Sequence, residues 1–402
     1  MALNPLEKAR RAAESTGRLL NLIDTSFHSN GFIPPDEPFS RGFQDFLSHR
    51  CYRPDPQGEL FARESIARYY GDRGLSVAPE DIVVCASTSE AYSLLFSTFG
   101  RSGDTVALPS PGYPLAEELA LQNRLRPRFY RRSPEEAYRI TEAQIEYAMD
   151  LDTALVVAVS PDNPTGSLIT DRELHGLLSA ARGYSAFLVW DEVFCDLLFS
   201  GIRDSEAHPL NQRDGPVTFV LNGASKLFAS PDIKIGWIVI SGDPRRRAAI
   251  RERLSTANDH YLSASSIGQA ILPHLFPGLA GFRRELRQAI TSRRNGFRFW
   301  LDQEDRVEAF PPAGGFHALC RIPSIPAAQT DAFVLALLEG RDPVWVHPGY
   351  FYRASEKSAS FVLSLLVPEG RLQAGLAKIS RTLGVCAPAK RRKSRQGDVL
   401  PR

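Results

Sequence analysis

The run Leu221-Asn222-Gly223-Ala224-Ser225-Lys226 continues into Leu227-Phe228-Ala229-Ser230-Pro231-Asp232-Ile233-Lys234-Ile235-Gly236-Trp237. It reads as the end of a β-strand, a lysine just beyond it, a turn marked by Pro231, a second lysine and the start of another strand. The surrounding sequence repeats this texture. Short β-rich runs at 82–86, 105–108, 154–160, 186–194, 218–223 and 235–241 alternate with helical stretches at 90–99, 114–122 and 171–181. Such alternation builds βαβ units and a largely parallel sheet, so the expected class is α/β. Ala154-Leu155-Val156-Val157-Ala158-Val159 is apolar at every position, as a strand covered by helices on both faces requires. Ligands of open α/β sheets sit at the carboxyl ends of strands, which is where Lys226 falls.

The texture changes after residue 280. A long basic amphipathic helix at 280–304 precedes strand candidates at 317–322, 344–346 and 360–366, predicting a second, smaller α+β domain. With 402 residues and 43% hydrophobic content, the chain can bury two cores. A formal net charge of +2 calls for neither a nucleic-acid nor a membrane-surface partner. The basic run at 390–395 reads as a solvated end. Cys51, Cys85, Cys195, Cys320 and Cys386 are odd in number and lack CxxC spacing, which suits free thiols rather than disulfides or a metal site. No apolar run approaches the ~20 residues that span a bilayer. Glu7 and Glu14 near the start, with no apolar h-region, predict a cytoplasmic protein.

Four further segments carry chemistry. Asp191 ends the apolar run Phe187-Leu188-Val189-Trp190, placing a carboxylate at the sheet edge, where burial is costly without a cationic partner. Asn163 sits in Asp162-Asn163-Pro164-Thr165-Gly166, a turn that holds its amide rigidly. Ala86-Ser87-Thr88-Ser89-Glu90 joins a strand end to a helix start. Unpaired N–H groups and hydroxyls there suit an anion, with Lys234 in support, and also an ordinary helix N-cap. Tyr113, between Pro111-Gly112 and Pro114, offers an aromatic face. Lys226 suits a lysine that holds an aldehyde cofactor as a Schiff base. A free lysine, with a pKa near ~10.4, is a poor nucleophile at neutral pH.

Taken together and in this order, these motifs resemble the aspartate-aminotransferase superfamily, the class I/II enzymes of fold type I that use pyridoxal 5'-phosphate (PLP). The resemblance spans roughly residues 30 to 380. It implies a large PLP-binding domain at 46–289 with a mostly parallel seven-stranded sheet. It also implies a discontinuous small domain from 1–45 and 290–385, with a tail at 386–402. Lys226 would be the catalytic lysine, Asp191 the partner of the pyridine nitrogen and Asn163 the donor to the ring's 3'-oxygen. Tyr113 would stack on the ring, while Ser87, Thr88, Ser89, Ser225 and Lys234 bind the cofactor and its phosphate. Tyr52 resembles a tyrosine that reaches the neighbouring subunit's phosphate, which implies a homodimer.

Three positions depart from the family pattern. Phe194 stands where most relatives have tyrosine at the cofactor. Lys234 replaces the usual arginine, keeping the charge but losing the bidentate fork. Val362 occupies the place of the arginine that binds the substrate carboxylate, which leaves Arg353 and Arg321 as candidate substitutes. The resemblance implies an aminotransferase that moves an amino group between an amino acid and a 2-oxo acid by a ping-pong mechanism. A PLP-dependent lyase or cyclase, and a non-catalytic PLP-binding module, are the alternatives.

Overall fold

The computed structural model describes residues 4–50, 54–199, 208–212, 215–262, 264–354 and 357–386. Tyr52 and the basic run at 390–395 lie outside the described residues. Seven strands form the main sheet: β1 (Ile82–Cys85), β2 (Thr105–Ser110), β3 (Arg126–Arg131), β4 (Thr153–Val159), β5 (Phe187–Asp191), β6 (Thr218–Gly223) and β7 (Gly236–Ser241). Their spatial order is β1-β7-β6-β5-β4-β2-β3. All run in one direction except β7, which is antiparallel to both β6 and β1. The fold is therefore α/β with a large, mostly parallel, mixed sheet. Strand β3, Arg126-Pro127-Arg128-Phe129-Tyr130-Arg131, is absent from the sequence expectation. It lies at the sheet edge, where polar residues and a proline are tolerated, so it lacks the apolar signature of an inner strand. The run expected as a strand to residue 194 ends at Asp191 and turns into a short 3-10 segment, Cys195–Leu197.

The period-2 alternation of each strand divides its side chains between two apolar layers. Leu155, Val157, Val189, Phe219 and Ile238 pack on one face with Leu94 and Leu95 of helix Thr88–Phe99. Val156, Ala158, Leu188, Trp190 and Trp237 pack on the other with Leu174 and Leu177 of helix Asp171–Gly183. Leu272 and Leu275 of helix Ser266–Gly278 join this second layer. All of these side chains are buried, each contributing about 1.5–3 kcal/mol relative to exposure.

A second core lies around β8 (His317–Pro326) and β9 (Ser358–Ser364), an antiparallel pair flanked by the short strands Glu308–Ala309 and His347–Pro348. Leu20–Asn21, near the start of the chain, pairs in parallel with Val344–Trp345. Helix Pro5–Ser15 packs on helix Thr330–Leu338 of the same layer. Helix Ala280–Gln303 runs along both units. Among the described residues, no helix is long and apolar enough to cross a membrane.

Behind the end of β5 lies a polar knot around a buried carboxylate. Glu192, 1% exposed, takes two hydrogen bonds from Arg73 at 3.0 Å each, one from Tyr70 Oη at 2.8 Å and one from Asn222 Nδ2 at 3.3 Å. His208 Nε2 lies 2.9 Å from its second oxygen. Burial alone would push this carboxyl up, but the charges of Arg73 and His208 overcome it and hold Glu192 well below the usual carboxylate range. Glu192→Gln removes the carboxylate charge that Arg73 meets here with two hydrogen bonds. We expect it to lose about 3 kcal/mol of stability, read as a lower urea midpoint, and an unchanged midpoint would contradict this account of the knot.

Candidate active site

Five strand ends meet at one cavity of about 560 Å³. Lys226 lies in a single helical turn, Ala224–Leu227, that begins where β6 stops. Two glycines make the approach possible. Gly223 and Gly236 face each other in the β6–β7 ladder. A Cβ on Gly236 would lie 2.7 Å from the carbonyl carbon of Ser87, and one on Gly223 would lie 3.0 Å from Ile235 O. Only bare backbone lets β6, β7 and the Ser87 turn close on one another, bringing Ser87, Thr88, Ser89, Ser225, Lys226 and Lys234 to one wall of the cavity.

Ser87 caps helix Thr88–Phe99. Its Oγ accepts from Glu90 N at 3.1 Å, while Glu90 Oε2 accepts from Ala86 N at 2.5 Å. The N-cap reading of this segment is met, and it leaves other first-turn N–H groups for an anion. The first-turn N–H groups have no partner within the helix, and its dipole adds positive potential beside the hydroxyls of Thr88 and Ser89 and the Lys234 ammonium.

Asp191, at the end of β5, is 7% exposed and lines the cavity. Tyr92 Oη donates to its Oδ2 at 2.9 Å and Val193 N to its Oδ1 at 3.0 Å. Burial pushes the carboxyl up to about 6, against the pull of those two hydrogen bonds and of Lys226. No arginine or lysine forms an ion pair with it among the described residues. Lys226 itself is lowered by burial, with Asp191 partly opposing the shift, and its Nζ sits 5.8 and 5.7 Å from the ring centres of Phe27 and Phe316.

Asn163 follows β4 on a turn locked by a buried ion pair. Arg132 Nη2 donates to Asp162 Oδ1 at 2.8 Å, and Asp162 Oδ2 accepts from Thr165 Oγ1 at 2.5 Å. The buried Oδ1 of Asn163 has no hydrogen-bond partner, so the turn leaves an unsatisfied acceptor on a residue that lines the cavity. Tyr113 stands half-exposed at the rim as the N-cap of helix Pro114–Gln122. Phe194 is buried edge-on to Phe316 with ring centres 5.2 Å apart, and both line the cavity.

The opposite wall holds residues that the sequence did not single out. His317 is 6% exposed and lies beside Lys226. Burial first, then the charges of Lys226 and His347, push it down to about 3. His347, lowered to about 4 by burial and then by Arg10, lies 3.1 Å through Nδ1 from Tyr352 Oη. Both imidazoles are therefore neutral at physiological pH. A lone histidine carries no motif, so nothing in the sequence marks them. Tyr92 was legible in principle, since it stands three residues beyond Ser89 on the same helix face. Val362 is fully buried within β9, cross-strand from Leu319 and His347. Arg353 lines the cavity mouth, as a candidate carboxylate partner should. Arg321 is a correction: it does not line the cavity. Its guanidinium is taken up by Glu135 at 2.5 Å and Glu308 at 2.6 Å, because the side chain lies on the outer face of β8.

A mostly parallel sheet with a lysine, a buried carboxylate and a hydroxyl-bearing helix start at its strand ends suits a PLP-type site. Residues 50–379 match the model of the family described as aminotransferase class I and II. The chain belongs to that PLP-dependent family. It is 28% identical over 214 residues to human tyrosine aminotransferase, an alignment covering 52% of this chain and 46% of that enzyme. To the aspartate aminotransferase of Geobacillus stearothermophilus it is 26% identical over 298 residues, covering 72% of this chain and 74% of that one. The chain spans about half the length of the mammalian tyrosine aminotransferases it matches, 46–47%. In structure it superposes on an alanine aminotransferase from Pyrococcus furiosus with a TM-score of 0.86 at 21% identity, covering 94% of this chain and 96% of that one, which shows the fold.

The residues present fit the cofactor. Asp191 is a buried carboxylate without an ion-pair partner, and a protonated ring nitrogen would supply one. Asn163 lines the same cavity, and the Gly236–Ser87 approach leaves a cradle that a side chain would fill. A carboxyl raised in the fold stabilises the chain below its unfolded pKa, and that stability is lost as pH rises through the folded value of about 6. Asp191→Asn should therefore stabilise the cofactor-free chain at pH 8, by on the order of 3 kcal/mol at most. The gain should fade toward pH 4, as read by thermal melts across pH. A variant less stable than the parent at pH 8 would show that Asp191 is not strained by burial.

Proposed function

We propose that this chain is a PLP-dependent aminotransferase that moves an amino group between an amino acid and a 2-oxo acid in a ping-pong cycle. The observation that carries the reading is the meeting of Lys226, Asp191 and Asn163 in one cavity at the strand ends. The names of the tyrosine, aspartate and alanine aminotransferases to which it is similar support transamination over elimination or cyclisation.

Bound PLP supplies an electron sink that acidifies the C–H bond beside the substrate nitrogen. Lys226 would hold its aldehyde, and Ser87, Thr88, Ser89, Ser225 and Lys234 its phosphate. Asp191, whose charge burial disfavours, would face the ring nitrogen and keep a proton on it. Asn163 would donate to the ring oxygen, where Phe194 can offer no hydroxyl, and Tyr113 would cover the ring face. With its pKa lowered by burial, Lys226 has a larger neutral fraction than a free lysine, so its Nζ can take the substrate proton and return it on the other side of the reaction. The rings of Phe27 and Phe316 beside Nζ limit water there. Arg353, at the mouth, would meet the substrate carboxylate in place of the arginine that Val362 replaces.

We further infer a cytoplasmic homodimer. Phe43, Leu47, Leu60, Phe61 and Ile267 are all at least 39% exposed on three helices, Glu37–Ser48, Leu60–Asp72 and Ser266–Gly278, that pack together, and this apolar face suits a second copy of the chain. Tyr52, between the first two of these helices in sequence, would then reach the partner's phosphate. The free thiols of Cys85, Cys195 and Cys320 suit a reducing compartment.

Incubation of the holoenzyme with single amino acids should convert the cofactor to its amine form with one equivalent of 2-oxo acid. Ammonia with pyruvate, and no conversion, would instead indicate a lyase. Lys226→Ala should lower the rate by about a thousandfold or more and remove the visible absorption of the bound cofactor. Retention of that absorption would refute the assignment of the lysine. In sedimentation equilibrium the mass should be twice 44.5 kDa, and a monomer at micromolar concentration would exclude the shared site.

A further inference from the structure

The cavity is poor in available positive charge. Among the described lining residues, the lysines and arginines are Lys226, Lys234 and Arg353. The first two are committed to the cofactor in the reading above. Arg353 is already engaged: its Nε donates to Glu117 Oε2 at 2.6 Å and its Nη2 to the other oxygen, forming a two-pronged pair. The guanidinium also lies 4.3 Å above the ring of Phe129. Glu117 itself lines the cavity, from the first turn of helix Pro114–Gln122 that Tyr113 caps.

The backbone holds this arrangement in place. Ser110 Oγ donates to Arg353 O at 3.2 Å, and Gly112 N donates to Tyr352 O at 3.0 Å, tying the loop after β2 to the segment that carries the arginine. Arg353 also adopts a left-handed backbone, φ 55°, at the end of the short 3-10 segment Gly349–Tyr352. The Arg353 side chain is 50% exposed and that of Glu117 only 18%, so the carboxylate is the more sheltered partner.

An incoming carboxylate that takes the guanidinium must therefore evict a carboxylate already in place. It gains only what Glu117 gives up, and it leaves Glu117 facing the cavity without its counter-charge. The other polar groups of this wall, His317, His347 and Tyr352, are neutral and cannot compensate.

We propose that Glu117 is a specificity-determining residue, an internal carboxylate that competes with the substrate's own for Arg353 and so sets how strongly the site favours amino acids over amines that lack a carboxylate. The proposal rests on the reading of Arg353 as the substrate's carboxylate partner. It deepens that reading by assigning its strength to a residue on a different element of the fold.

The test compares the holoenzyme with its Glu117→Gln and Arg353→Gln forms. Dissociation constants are read from the visible absorbance during titration with each of the common amino acids and with the matched decarboxylated amines, tyramine and ethylamine among them. The readout is the ratio of amine to amino-acid dissociation constants. Glu117→Gln should raise that ratio about fivefold, the scale of a half-exposed ion pair, with amine affinity unchanged. Arg353→Gln should lower it about tenfold or more. An Arg353→Gln form that keeps the parent ratio would remove the carboxylate reading of Arg353. A lowered ratio in Arg353→Gln with an unchanged or lowered ratio in Glu117→Gln would overturn the present proposal alone. The same holds if amine and amino-acid affinities move together in Glu117→Gln, or if neither form responds to any amino acid.

Discussion

A carboxylate placed in the interior without a cation beside it is the constraint on which this site turns. Asp191 is held at the end of β5 by Tyr92 and the Val193 amide, which fix its orientation but do not neutralise it. The fold therefore presents an electrostatic demand of the kind that a protonated ring nitrogen would meet. Its neighbour Glu192 shows the alternative outcome for the same chemistry one residue away. Successive strand residues point to opposite faces, so Glu192 enters the interior behind the strand, where Arg73, Tyr70, Asn222 and His208 satisfy it completely. One carboxylate fastens the end of the strand and the other faces the cavity. The polar knot around the first keeps the second from withdrawing.

The cofactor side and the substrate side of the cavity follow different rules. The cofactor side is built from strand ends and helix starts, held together by glycine contacts at Gly223 and Gly236 and by the Arg132–Asp162 pair under the Asn163 turn. Each of its groups is placed by main-chain geometry. The substrate side is built from the second unit, where β8 contributes His317 and the segment after Val346 contributes His347, Tyr352 and Arg353. Burial keeps its imidazoles neutral, and its single arginine is shared with a glutamate from the first unit. The Arg353–Glu117 ion pair thereby joins the two units at the cavity.

The cofactor half was legible because its chemistry depends on short contiguous segments. A lysine after a strand, a carboxylate ending an apolar run, an Asn-Pro turn and a hydroxyl-rich helix start each keep their meaning locally, and their order along the chain adds specificity. The central strands were legible for the same reason, since continuous apolar runs have few other readings. Strand β3 was not, because an edge strand needs no apolar pattern. Arg321 and Arg353 could not be separated by sequence. Both are cations near a predicted strand, and only packing shows that one faces outward onto Glu135 and Glu308 while the other faces the cavity mouth.

The sequence by itself determined the α/β class, which follows from local periodicity, and marked Lys226, Asp191 and Asn163 as candidates through their residue types at strand ends and turns and through the resemblance in motif order. The tertiary structure alone decided the state and company of those groups. Desolvation, which sets the ionisation of Asp191, His317 and Lys226, is a property of everything packed around a residue and has no trace in its neighbours along the chain. The pairing of Glu117 with Arg353, more than two hundred residues apart, exists only because two separately folded layers meet at one opening.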